Sequence, residues 1–266
     1  MSGDLGREVD VNETREQLIG LSHRVGRPER DYVVLAEGNT SALLADGTFL
    51  VKSSGARLDG IGADDFVRLR LAPLLEAVRQ ETSADPDELL ADARVNPSPE
   101  ARPPSIETFV HVVCLGLAGA RFVVHTHPTT LVGLLCSPAA EKLLTAGALF
   151  PDEVVVCGAA PLYVGYFEPG LRLARAVVPR LHAHMELHGE PPRTIYLGNH
   201  GLFTTGSTPA EVLAATEMAV KAARIRAAAH AAGGLRPLAA ASVAELAGRA
   251  DEFGRRERLA GGDLRC

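Results

Sequence analysis

Apolar positions along the chain fall into two periods, and their changes mark the elements. Residues 12–26 repeat hydrophobics at helical spacing, with Asn12 suited to the N-cap and Gly26 to the stop. Segments 41–45 and 48–52 are β-type runs on either side of Asp46-Gly47, a strong hairpin signal. Residues 66–70 alternate as a half-buried strand does. Segment 105–119 is the best helix of the first half, with Ile106, Phe109, Val110, Val113, Cys114 and Leu117 at i, i+3, i+4, i+7 spacing. Ser105 is its natural N-cap and Gly119 its end, which puts Glu107 in the first turn and His111 one turn on along the polar face. Arg121-Phe122-Val123-Val124 then reads as a buried strand running into His125-Thr126-His127.

The second half continues the alternation. Residues 153–157 read as a buried strand. Segments 194–197 and 202–205 read as two strands around Gly198-Asn199-His200-Gly201. Thr208-Pro209-Ala210-Glu211 is a capping box with proline at the first helical position, opening a long helix to Gly233-Gly234. A last helix starts at Ser242. The polar, proline-rich stretch 81–104 is read as a surface excursion within one domain, because the strands on either side are too few to close separate cores. The whole chain, 1–266, is therefore one domain, with a core of about 12–230 and a C-terminal helical extension of about 240–260.

Composition narrows the function. With 266 residues, 46% hydrophobic and 23% charged, the chain can bury a full core. A net charge of −6 offers no footprint for nucleic acid, and no apolar run reaches the roughly 20 residues of a membrane span. The polar N-terminus lacks the apolar core of a signal peptide. The four cysteines are scattered, and three of them, in apolar surroundings, read as buried free thiols. The expected setting is a reducing cytoplasm.

The chemistry is concentrated in histidines. On a strand His125 and His127 point to one face, which makes half of a metal site. His200, between glycines in a tight connection, has little core to fill and is the candidate third ligand. The helix bearing Glu107 leads directly into the histidine strand, so its carboxylate can approach the pair. Three neutral nitrogens leave the charge of a zinc ion largely uncompensated, and a carboxylate that can leave would free a position for substrate. A cupin would place the carboxylate a few residues after His-x-His, whereas Glu141 and Glu153 are distant; a carbonic-anhydrase-like site belongs to a sheet-dominated fold. His184 and His188, four apart, lack the intervening glutamate of the zinc protease motif and are read, with His23, His182 and His230, as solvated helix positions.

Four segments, taken together, resemble the class II aldolase/adducin family in family order. They are Glu37-Gly38-Asn39-Thr40-Ser41; Lys52-Ser53-Ser54-Gly55; Pro104-Ser105-Ile106-Glu107 leading to His125-Thr126-His127-Pro128; and Gly198-Asn199-His200-Gly201. The resemblance covers roughly residues 12–230. It implies an α/β fold, a three-layer α/β/α sandwich around a central, mainly antiparallel sheet, in a homotetramer. It also implies Zn2+ (with Mn2+ or Co2+ as substitutes) held by His125, His127 and His200, with Glu107 as displaceable ligand and general acid/base. The implied reaction is reversible retro-aldol cleavage of a sugar phosphate or related hydroxy-carbonyl compound, with the metal stabilising an enediolate. By the same resemblance Asn39, Ser54, Gly55 and Ser105 form an anion site from backbone N–H groups and small hydroxyls. Lys52 would add charge there or, at a strand end, face solvent.

Two departures from the family pattern bear on substrate. Ile106 stands where phosphate-specific aldolases commonly carry a second serine, and no tyrosine occurs between Pro128 and Leu162, where several of them place a proton donor. Tyr163 and Tyr166 follow closely without an assignable role. A sugar-phosphate 4-epimerase, a decarboxylase and a non-enzymatic adducin-like module are the alternatives. Epimerases generally carry aspartate in place of Glu107, and adducin-like modules lose metal ligands that this chain keeps.

Overall fold

The computed structural model describes residues 2–80, 84–97 and 102–248. In chain order the regular elements are α1 (Ser2–Val25), β1 (Asn39–Leu43), β2 (Thr48–Lys52), β3 (Phe66–Arg70), α2 (Leu71–Arg79), α3 (Pro86–Asp92), α4 (Thr108–Gly116), β4 (Phe122–Thr126), α5 (Thr129–Leu135), α6 (Ala140–Leu144), α7 (Pro151–Cys157), β5 (Leu162–Val164), α8 (Leu171–His188), β6 (Thr194–Leu197), β7 (Gly201–Gly206), α9 (Pro209–Ala231) and α10 (Ala240–Gly248). The strands form one seven-stranded sheet in the order β3-β2-β1-β4-β7-β6-β5. Pairing is antiparallel for β1 with β2, β2 with β3 and β6 with β7, and parallel for β5 with β6. The expected α/β fold with a central, mostly antiparallel sheet flanked by helices is thus observed.

The described residues pack as two compact units, one running to Val123 and taking in Phe167–Pro179, the other comprising Val124–Tyr166 and residues 180–248. In the first, Asp46-Gly47 turns β1 into β2, Gly47 taking the positive φ of 78° that such a tight turn favours in glycine. Strand β3 alternates in burial as its sequence does. Helix α1 packs against β1, with Leu18, Leu21, Ser22 and Val25 fully buried and the Ser22 and Thr40 hydroxyls bonded at 2.7 Å, and α2 packs on α4. In the second, α9 covers β7, β6, α5 and α7, and Leu131, Leu135, Leu144, Cys157, Tyr196, Leu202, Ala219 and Ala223 form one core cluster. Half of the expected capping box is present: Thr208 Oγ1 accepts from the Glu211 amide at 3.2 Å, while the Glu211 carboxylate accepts from the Ser207 amide at 2.8 Å rather than from that of Thr208.

Several expectations need correction. Helix α1 begins at Ser2, not near Asn12: no proline interrupts the chain before Asn12, whose side chain instead accepts from Arg15 one turn on at 3.1 Å. The excursion 81–104 contains α3, which Asp85 caps at 2.8 Å from the Asp87 amide. Helix α4 starts later than the spacing suggests, with Glu107 as its N-cap residue. Ser105 first closes a turn, its carbonyl accepting from the Thr108 amide and hydroxyl. The helix ends at Gly116, and Gly119 follows with a positive φ of 67°. The face expected to be polar is buried, since every residue from Thr108 to Leu115 is buried, His111 completely.

The largest difference concerns 153–157, which is helix α7. Pro151 sits at its first position with Asp152 and Glu153 in the first turn, all favourable to a helix start. An apolar run buried on all sides carries no period, so the sequence cannot separate helix from strand there. Glu153 is anchored by an ion pair to Arg226 of α9 at 2.8 Å and accepts from the Leu149 amide at 2.8 Å. Among the cysteines Cys114 and Cys157 are buried, while Cys136 is exposed. His184 is buried rather than solvated, and its ring lies 4.4 Å from that of His188. Helix α10 opens at Ala240, and the extension expected to reach about 260 lies outside the described residues beyond 248.

Candidate metal centre

Strand β4 delivers His125 near its end and His127 just beyond it, as the alternation of a strand requires. His125 is fully buried. Its Nδ1 lies 2.9 Å from the Leu202 carbonyl oxygen, which can only accept, so Nδ1 carries the proton and Nε2 presents a lone pair. Its ring also stacks on Phe203 at 4.1 Å, which fixes its plane. The Nε2 atoms of His125 and His127 are 2.9 Å apart. Without a cation that contact needs His127 to donate its Nε2 proton; with a cation bound, the two nitrogens would both serve as lone-pair donors.

His200 comes from the β6–β7 connection. Asn199 adopts a left-handed conformation, φ 54°, which asparagine tolerates better than most residues. The amides of Gly198, Asn199 and His200 donate to the carbonyls of Val164, Leu135 and Leu197, which pins the turn. The His200 ring lies 4.9 Å from that of His125 and 5.2 Å from that of His127. Gly201 makes this convergence sterically possible. A Cβ there would stand 2.5 Å from the Thr126 carbonyl oxygen, 2.6 Å from His127 Cδ2 and 3.2 Å from His125 Cε1.

Glu107 is buried at the head of α4. Its Oε2 accepts from Asn39 Nδ2 at 2.6 Å, and the same amide nitrogen donates to Ser105 Oγ at 2.9 Å. Asn39 Oδ1 accepts from His111 Nε2, and His111 Nδ1 lies 2.6 Å from Ser41 Oγ. Among the described residues Glu107, His125, His127 and His200 form a group able to hold a metal ion, one ligand atom of each lying within 4.8 Å of the others. Three imidazoles and one carboxylate are a donor set that suits a divalent ion such as zinc.

The proposed anion residues are placed less uniformly. Asn39 and Ser105 are buried and bonded to one another. Ser54 and Gly55 lie on an exposed turn, where the Ser54 amide donates to the Pro103 carbonyl at 2.8 Å and Gly55 has φ 78°. Lys52 does not face solvent. It is buried and donates to the carbonyls of Ala36 at 3.1 Å, Ser53 at 3.4 Å and Ala56 at 2.7 Å. Burial pushes its ammonium down to about 8, against the opposing pull of the Glu107 and Asp65 carboxylates. Ile106 is exposed. Tyr163 on β5 places its hydroxyl beside Gly198, and burial raises its phenol above the ordinary range, helped by the negative charge of Glu141. Tyr166 is exposed.

The model of the class II aldolase and adducin N-terminal domain matches residues 16–227, most of the chain. The chain belongs to the class II aldolase and adducin family. Solved structures of the same fold include an L-fuculose 1-phosphate aldolase, 17% identical with a TM-score of 0.67 over 91% of this chain and 96% of that one. YgbL from Escherichia coli, whose name offers aldolase, epimerase and decarboxylase as candidate activities, is 21% identical with a TM-score of 0.65 over 89% and 99%. The L-fuculose-1-phosphate aldolase of Thermus thermophilus is 20% identical with a TM-score of 0.58 over 84% and 100%. At these identities the structures speak for the fold alone. Among curated protein sequences none is similar enough to count as a match.

The family sequence motifs hold the geometry just described, but part of the centre is not visible in them. Sequence reasoning misses His111 as the partner of Asn39 and Ser41 as the partner of His111. Their i, i+4 and i+2 relations to Glu107 and Asn39 are present in the sequence, yet only the fold brings them together. No helix among the described residues is long and apolar enough to cross a membrane.

Proposed function

We propose that the protein is a metal-dependent aldolase that reversibly cleaves a sugar phosphate or a related hydroxy-carbonyl compound. The observation that carries this reading is the convergence of His125, His127, His200 and Glu107 within 4.8 Å. His125, His127 and His200 would hold a divalent ion, zinc by preference, with Glu107 as the ligand that yields. When bound, such an ion supplies Lewis acidity toward a substrate carbonyl or hydroxyl oxygen.

The remaining work falls to side chains. Glu107, freed from the ion, is the group to take a proton from the substrate hydroxyl and return it to carbon. Its charge-assisted bond from Asn39 at 2.6 Å holds one carboxylate oxygen in place for this. The Leu202 carbonyl and the Phe203 ring keep His125 in one tautomer and one plane, so its Nε2 need not reorganise when substrate enters. The loops bearing Asn39, Ser54, Gly55 and Ser105 are read as the recognition side for an anionic group, phosphate or carboxylate. Exposed Ile106 supplies no hydroxyl there. The reading extends to a single aldolase-type domain acting as a cytoplasmic homotetramer.

The test is a product screen with zinc-loaded protein on L-fuculose 1-phosphate, other ketose phosphates, free ketoses and sugar acids. Release of a small aldehyde supports aldolase action. Inversion at one carbon without cleavage, or release of CO2, replaces it with epimerase or decarboxylase action on the same residues. Glu107→Gln is expected to lower turnover by about 10²–10⁴-fold. Wild-type turnover in that variant, or full metal occupancy in a His125→Ala/His127→Ala/His200→Ala protein, overturns the assignment.

A further inference from the structure

Glu107 is the terminus of a buried chain of hydrogen bonds that runs through His111. The chain has one direction. The Glu107 carboxylate can only accept, so Asn39 must turn its Nδ2 toward it, at 2.6 Å, and the same nitrogen serves Ser105 Oγ at 2.9 Å. Asn39 Oδ1 is therefore the atom facing His111, and His111 Nε2 must carry the proton it donates there. In the neutral ring Nδ1 is then an acceptor, so Ser41 donates its hydroxyl proton to it at 2.6 Å. Every donor points toward the carboxylate. If the Asn39 amide flipped, its oxygen would face the carboxylate and its NH2 the His111 N–H, two repulsive contacts in place of two bonds.

We propose that His111 is a positioning residue for Glu107, acting through Asn39 to fix the carboxylate's orientation at the metal centre. His111 is fully buried on α4, Asn39 and Ser41 are buried on β1, and Ser105 is buried in the turn before α4. Burial makes the chain rigid, because every member that rotates leaves a partner unsatisfied in a dry environment. The arrangement also assigns Asn39 a duty other than anion recognition, since both amide hydrogens are spent on Ser105 and Glu107. The inference rests on the reading of Glu107 as ligand and acid/base group.

Three measurements test it. In the metal-free protein, ¹⁵N NMR of the His111 ring is expected to report the Nε2–H tautomer; the Nδ1–H tautomer overturns the directional chain outright, whatever the protein's activity. Co2+ titration followed by its visible absorption is expected to show about 10–100-fold weaker binding for His111→Leu, the loss typical of outer partners of metal ligands. His111→Gln, whose amide N–H can still reach Asn39, is expected to stay well above the His111→Leu affinity and close to wild type, which a core-filling role would not produce. Solvent-deuterium exchange into dihydroxyacetone phosphate gives the parallel kinetic readout, with a lowered rate constant and little change in KM for His111→Leu. Wild-type Co2+ affinity in a folded His111→Leu protein overturns the proposal. Unaltered Co2+ binding in Glu107→Ala instead refutes the underlying role of Glu107, so the two failures are told apart.

Discussion

Replacing Gly201 by alanine adds a single methyl group at the point where the two histidine-bearing segments, the end of β4 and the β6–β7 connection, meet. The backbone of Gly201 is not in the left-handed region, so alanine costs no conformational strain, and the effect is steric alone. The new Cβ would lie 2.5 Å from the Thr126 carbonyl oxygen and 2.6 Å from His127 Cδ2, whereas ordinary contact begins near 3.4 Å. Relieving the tighter of these contacts takes a shift of about 0.9 Å, the difference between 3.4 and 2.5 Å. Turning the His127 ring does not relieve the contact with the Thr126 carbonyl oxygen, so the two backbones must part, and the histidines they carry move apart with them. Overpacking of this kind costs typically about 1–3 kcal/mol of stability. For a chain of this size that lowers Tm by about 2–4 °C per kcal/mol. The larger effect falls on function, because a misplacement of roughly 1 Å near a reacting centre costs about 10²-fold in rate. The assay is thermal unfolding in chelator, which removes the contribution of bound metal, followed by zinc titration and turnover. Gly20→Ala is the control: it lies within α1 with nothing within 4 Å of the added Cβ, and should stabilise by about 0.5–1 kcal/mol with unchanged zinc binding. Wild-type zinc affinity and turnover in Gly201→Ala would refute the idea that this glycine sets the ring positions.

Three further outcomes follow from other parts of the fold. Arg226→Ala strips the partner from buried Glu153 and the donors from the Leu143 and Gly147 carbonyls, and should cost about 3–5 kcal/mol in denaturant unfolding; a loss under about 1 kcal/mol, the range of an exposed pair, would mean that Glu153 finds water on its own. His184 is held neutral by burial and by neighbouring His188, its pKa lowered to about 4, so the unfolded chain binds more protons between about pH 6.5 and 4 and the stability present above that window falls as pH drops through it. His184→Leu should flatten Tm across that range, and an unchanged slope would remove His184 as the source. Exposed Ile106→Ser should lower KM for a phosphorylated substrate, one hydrogen bond to a charged group being worth about 1.5–3 kcal/mol, and should help little if the natural anion is a carboxylate.

The parts of this fold that can be read from sequence are those in which local chemistry decides the outcome. Asp46-Gly47 marks its hairpin because few residues accept that turn, and Thr208 with Glu211 marks the start of α9 because the box satisfies orphan amides wherever it occurs. The histidine pair is equally legible, since period two along β4 is a property of any strand. What stays hidden depends on distant partners. The run Val154-Val155-Val156 has the look of a strand; Pro151 and the acidic residues before it favour a helix start, but an apolar run buried on all sides carries no period, and its packing on α9 and the Glu153–Arg226 pair, far along the chain, are not visible in it. Lys52 looks like a solvent-facing strand end until the carbonyls of Ala36, Ser53 and Ala56 close around it.

The candidate centre shows the same division between residues whose chemistry is local and residues whose role is relational. His125, His127, His200 and Glu107 can be named from residue type and spacing, because a metal asks for particular donors. His111 and Ser41 cannot, because nothing in an isolated helix or strand shows that a histidine will be wholly buried and bonded at both nitrogens. Yet the burial of His111 is what holds the network in the one direction that the Glu107 carboxylate sets. A solvated histidine at that position would exchange tautomers freely and leave Asn39 Oδ1 without its fixed donor, so that the bond from Asn39 to the Glu107 carboxylate at 2.6 Å would lose its backing. The motif thus supplies the ligands, and the buried polar pairs beneath it supply their orientation, which is the property that mutation of the outer residues tests.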